Sequence, residues 1–156
     1  MSIVKIEGNH VRAGVVAGIL AGVVFGAMMG MAGMLPMVAA LLGGSSALFG
    51  FVLHLLFSAI IGVVFAIVLG HSAQDKTQSI LLGVIYGFVW WILGPLLIMP
   101  VWLGMGVQLS INGMQGALPS LWGHLVYGFI LGLIYPIIAV KKSLGGEYRD
   151  GVTSNT

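Results

Sequence analysis

Two long stretches of this sequence carry no charged residue. From residue 13 to 74, and again from 77 to 140, there is no Asp, Glu, Lys or Arg. An ordinary soluble domain is about 25% charged, whereas this chain of 156 residues is 6% charged and 59% hydrophobic. A membrane-crossing helix needs about 20 mostly apolar residues, so each stretch has room for two. The expected fold is all-α: a polytopic membrane four-helix bundle, formed as a single transmembrane domain over residues 1–156.

Turn and breaker residues place the spans. They are expected at about 11–35, ending before Pro36, at 47–69, at 78–101, with Pro95 and Pro100 near the far end, and at 118–140. The apolar run after Arg12 is too long for a signal-peptide core, so it is read as a retained first helix. Strands are not expected, because Gly and Ala are too frequent and nothing alternates with period two. Lys5 and Arg12 precede span one, Lys76 separates spans two and three, and Lys141, Lys142 and Arg149 follow span four. Loops 37–46 and 102–117 are uncharged. The positive-inside bias then puts both termini in the cytoplasm of a cell inner membrane, with residues 141–156 a mobile cytoplasmic tail. Trp102 and Trp122 bracket the longer outer loop as interface anchors. The few basic residues lie at membrane edges, so the expected partner is the lipid bilayer and not nucleic acid.

The sequence repeats itself. ALFGFVLHLLFSAIIGVVFA (47–66) aligns without gaps on ALPSLWGHLVYGFILGLIYP (117–136), placing His54 on His124 and Gly62 on Gly132. The first halves match more loosely, with Gly18 and Gly22 on Gly83 and Gly87. Each copy has two spans, so the bundle is expected to be two tandem helical hairpins in one orientation. Within span one, Gly14, Gly18, Gly22, Gly26 and Gly30 recur at every fourth position. Each glycine costs about 1 kcal/mol against Ala inside a helix. In lipid, helices gain from close backbone approach and not from hiding apolar side chains, so such a glycine zipper marks a packing face. Gly62, Gly128 and Gly132 extend the device to spans two and four.

Chemistry is scarce. No Asp, Glu, Lys or Arg lies in the core of any span, which removes the usual proton carrier and any carboxylate pair. HExxH, GxSxG and phosphate-loop motifs are absent, so no enzyme is expected. Without Cys there are no thiolate ligands. The candidates that remain are His54 and His124, with Ser58 nearby; an ionisable residue inside a membrane raises a functional-site hypothesis. The pair could hold haem b or a metal, with Trp90 and Trp91 stacked on a cofactor ring. The plainer reading is two neutral imidazoles bonded across helices, with the tryptophans filling volume and no cofactor. His10 and His71, at the cytoplasmic edge, are expected to be solvated. Met28, Met31 and Met34 could supply soft ligands for Cu(I). A three-residue period drifts around a helix, however, so these sulfurs are not expected to converge, and gap filling is the plainer reading.

At FGFVLHLLFSAIIGVVFAIV and SLWGHLVYGFILGLIYPII the chain resembles the YagU-type family of small prokaryotic inner-membrane proteins. The resemblance covers mainly spans two and four, and the extended loop that follows the first span in that family is absent here. It implies a poorly characterised membrane component linked to acid stress, with His124 in GHLVYG as the position to watch and His54 as its repeat partner. Three functions compete: a non-enzymatic accessory or assembly component, working with itself or a larger membrane complex; a haem or copper protein; and a channel or carrier for a small solute.

Overall fold

The computed structural model describes residues 8–153, with side chains described over 9–139. Helix α1 runs Gly8–Met31 and a short α2, Leu35–Ala40, follows it. Helix α3 covers Ala47–Leu69 and α4 covers Lys76–Trp91. A π-helical segment, Ile92–Ile98, joins α4 to α5, Met99–Trp102, and α6 is Ile111–Thr153. Four helical stretches are long and apolar enough to cross a membrane: Asn9–Met31, Ala47–Leu69, Lys76–Trp102 and Ile111–Ala139. The protein is an all-α, multi-pass membrane four-helix bundle. The tail expected to be mobile falls where side chains, and beyond Thr153 the backbone also, lie outside the described residues.

The starts of α3 and α4 are capped by short polar side chains. Ser46 accepts from the Phe49 amide and Asp75 from the Gln78 amide at 3.0 Å, so two first-turn donors are satisfied. Span one ends earlier than expected. Helix α1 stops at Met31, and Gly33, at φ +67°, takes the left-handed conformation that reverses the chain. The chain returns as α2, which lies on α3 where Gly50 is bare; a methyl there would run into the Leu35 carbonyl.

The prolines of span three act locally. Pro95 has no N–H, and the helix widens into π turns around it, with the Met99 amide bonding back to Gly94 O. Pro100 leaves Leu96 O without its helical donor, and the Gln108 amide from the following loop takes that place at 2.8 Å.

The glycines decide how the helices meet. A methyl on Gly14 would strike the Gly62 carbonyl, and one on Gly18 the Ser58 carbonyl. On Gly22 it would strike the Ser58 side chain, and on Gly26 the rings of Phe51 and His54. Gly30 is different: it is exposed, and a methyl would meet only Leu35 Cδ1 at an ordinary 3.5 Å. The α4–α6 hairpin crosses in the same way. Gly83 faces Gly128 O and the Gly132 Cα, as Gly18 faces Ser58 O and the Gly62 Cα. Gly87 faces His124 O, and Gly132 faces the backbone of Ser79 and Ile80. The two hairpins thus close through residues at matching positions of the aligned segments.

The hairpins are not joined symmetrically. Helix α1 packs broadly on α6, while α3 and α4 touch lightly. Beside the glycine stripe of α1 runs a second one: Ala13, Ala17, Ala21, Phe25 and Met29, all buried. Its Phe25 ring occupies the space that a side chain at Gly123 of α6 would need. At the matching register α4 carries Leu82, Tyr86 and Trp90. Their bulk holds α4 off α3, and Tyr86 bridges the gap with its hydroxyl on Ile61 O at 2.7 Å.

Candidate functional site: a polar seam and a methionine-lined cavity

A bare polar group in hydrocarbon costs several kcal/mol, so each buried one must find a partner. In this bundle most of those partners are main-chain carbonyls. Tyr127 donates to Ser58 O at 2.7 Å and Tyr86 to Ile61 O. Trp91 donates through Nε1 to Ala117 O at 3.0 Å, where the Ser120 hydroxyl also donates at 2.9 Å. Phe65, fully buried, stacks edge-on against both Tyr86 and Tyr135 at 5.3 Å between centroids. At the end of the bundle that carries Gly8, His10 does not simply face solvent: its Nδ1 and the Tyr135 hydroxyl share a 2.7 Å hydrogen bond. The Ser79 hydroxyl is buried with no partner among the described residues.

The two interior histidines follow the same pattern. His54 Nε2 lies 3.0 Å from Gly22 O. A carbonyl only accepts, so this nitrogen carries the proton. Ser58 Oγ lies 3.5 Å from the same nitrogen, at the limit of a hydrogen bond. His124 Nδ1 donates to Ser120 O, one turn back on its own helix, at 2.8 Å. The other nitrogen, Nε2, looks toward Gly94 in the π-helical segment, 3.7 Å from where a side chain there would begin. The tautomers are therefore opposite, although the two residues align with each other in the sequence.

Both imidazoles touch one ring, that of Phe25. Its centroid is 5.0 Å from His54 at an interplanar angle of 90°, and 4.8 Å from His124 at 65°. A bis-histidine haem does not fit this arrangement. Phe25 fills the volume against both rings; the carbonyl bond of each imidazole takes only one of its two nitrogens and is not itself the obstacle. Trp91 is equally occupied, buried at 4% exposure with its N–H spent, and Trp90 stacks on Tyr86 at 6.0 Å. Among the described residues no three His, Cys, Asp or Glu side chains come together.

The methionines behave otherwise than the sequence suggests. Helix α1 ends before the three-residue period can drift, and the Gly33 reversal brings Met34 back so that its amide bonds Met29 O at 2.9 Å. Met28, Met29, Met31 and Met34 consequently line one cavity of about 360 Å³, with Phe25 and Pro119 among its other walls. Met29 is 7% exposed, and Met31 stands at 84%.

Sequence reasoning found the histidines and three of these methionines. It placed Met29 beside them and missed Phe25 and the three tyrosines. The missed signal was a second four-residue period, from Ala13 to Met29, immediately beside the glycines.

Fold and interior together define a multi-pass helical membrane protein whose buried polar groups mostly serve to join its helices. Set against protein-family models, curated proteins and solved structures, the chain matches none of them.

Proposed function

We propose that the protein is a non-enzymatic inner-membrane component, with both termini cytoplasmic, that serves as an accessory or assembly factor for its own oligomer or a larger membrane complex. The observation that supports this reading is how the interior polar groups are used. Tyr86, Tyr127, Trp91, His54 and His124 all donate to main-chain carbonyls, which ties helices and turns together and leaves few groups for chemistry. The spans lack carboxylates and cations within their cores, which argues against proton-coupled transport. The matching glycine crossings of the two hairpins favour an origin by duplication. The YagU-type resemblance adds acid or other stress as the setting.

Two measurements test the reading. Single cysteines at Gln74 and Asn112 should react oppositely with an impermeant thiol reagent on intact cells, Asn112 labelled and Gln74 protected. Equal labelling would remove the assigned orientation. Native electrophoresis of gently solubilised membranes should show the protein in an assembly well above its own mass of 16.3 kDa. A lone monomer, together with solute flux in liposomes, would replace this reading with a channel or carrier.

A further inference from the structure

The cavity at the end of α1 is bordered by four thioethers that do not fill it. Methionine in a core ordinarily removes irregular space, because its three rotatable bonds let it adapt. Here Met28, Met29, Met31 and Met34 border a half-open pocket of about 360 Å³ instead. A water's share of liquid volume is about 30 Å³, so the space exceeds one ion and leaves the side chains room to swing inward. They are also graded in depth. Met31 stands at the mouth at 84% exposure, Met28 and Met34 are half-buried, and Met29 forms the floor at 7%.

The donor set selects the ligand. No carboxylate, hydroxyl or imidazole lines the cavity, so hard cations such as Mg²⁺ and Ca²⁺ find no oxygen side chain there. Zn²⁺ takes thiolate, imidazole or carboxylate ligands, and none is present. Neutral, polarisable sulfur is the donor that favours Cu(I). A neutral ligand set also suits a monovalent ion better than a divalent one in a medium of low dielectric. We propose that this cavity is a binding site for a soft monovalent metal ion of the Cu(I) class, closed by the thioethers of Met28, Met29 and Met34, with Met31 at its mouth. Phe25 seals the site from the histidines, so imidazole takes no part in it. This inference does not depend on the accessory role.

The test uses the purified full-length protein in mild detergent, with Cu(I) held by a chromophoric chelator under reductant and Ag(I) as a redox-inert probe. The expected result is saturable binding, a sulfur-only shell by X-ray absorption, and no competition from Zn²⁺. Replacing Met28, Met29 and Met34 together by Leu should weaken binding at least as much as the roughly 10–100-fold lost when a metal ligand's supporting partner is removed. Replacing Met99 and Met114 should leave it unchanged. Undiminished binding by the triple variant, or a shell of nitrogen and oxygen, overturns the proposal. Should the triple variant not fold, methionine-methyl NMR of the wild-type protein decides. Ag(I) should shift the methyls of Met28, Met29, Met31 and Met34 alone. Equal shifts at Met99, Met105 and Met114, or shifts at none, overturn the site in favour of gap filling.

Discussion

Tyr127 shows how single side chains hold this bundle. It sits on α6, buried at 4% exposure, and its hydroxyl crosses to Ser58 O on α3 at 2.7 Å. The carbonyl already serves its own helix, so the bond is an addition to α3 and not a replacement. Interhelical hydrogen bonds in membranes average about 0.6 kcal/mol and reach roughly 1.7. Tyr127→Phe keeps the ring and removes only the donor, so it should destabilise the bundle within that range, as read from unfolding in mixed detergent micelles. A larger loss would mean that the phenol supports more than one contact. The histidines were legible in the sequence because an imidazole inside a membrane is conspicuous. What each one bonds was not, because the partner is a backbone carbonyl and carries no sequence signature. Phe25 was hidden for another reason: a Phe in an apolar helix reads the same whether it faces lipid or two imidazoles.

At the scale of the element, the glycine stripe of α1 is not uniform along its length. Gly18 meets the Ser58 carbonyl directly, and a side chain there has nowhere to go. Gly30 keeps the four-residue register but faces open space at the end of the helix. Gly18→Leu should therefore cost at least the roughly 1–3 kcal/mol of overpacking a tight core. Gly30→Ala should be neutral or should stabilise by up to about 1 kcal/mol, the difference in helix propensity. Thermal melts of the two variants in one detergent decide it. Similar destabilisation by both would mean that the stripe packs over its whole length. Periodicity and charge gaps were enough to find the four spans, because both follow directly from the solvent. The π turns around Pro95 and the return of the chain as α2 were not legible. The first is a local backbone answer to Pro95, whose form composition does not give, and the second depends on a neighbour, the bare Gly50 beneath Leu35. The methionine cavity was obscured for the same reason, since an uninterrupted helix would have spread its sulfurs apart.

Taken as a whole, the molecule is two similar hairpins joined unequally. Within each hairpin, glycines bring backbones together through matching residues. Between hairpins the match fails, and side-chain size explains why. Ala17, fully buried on α1, aligns with Leu82 on α4 when Gly18 and Gly22 are set on Gly83 and Gly87. Ala21 corresponds to Tyr86, and Phe25 to Trp90. Small residues let α1 settle against α6, whereas the bulky set keeps α4 away from α3 and leaves Tyr86 to span the distance. The consequence is a directional test. Ala17→Leu places the residue found at the matching site into a contact with no spare volume, so it should cost roughly 1–3 kcal/mol and loosen one hairpin from the other. Leu82→Ala removes a side chain that is only partly buried, so its cost should fall below the roughly 2–5 kcal/mol of a true core truncation. Unfolding of both variants, followed by tryptophan fluorescence and by helicity, provides the comparison. A penalty for Leu82→Ala equal to that of Ala17→Leu would mean that both inter-hairpin faces are tightly packed, and side-chain size would no longer account for the asymmetry.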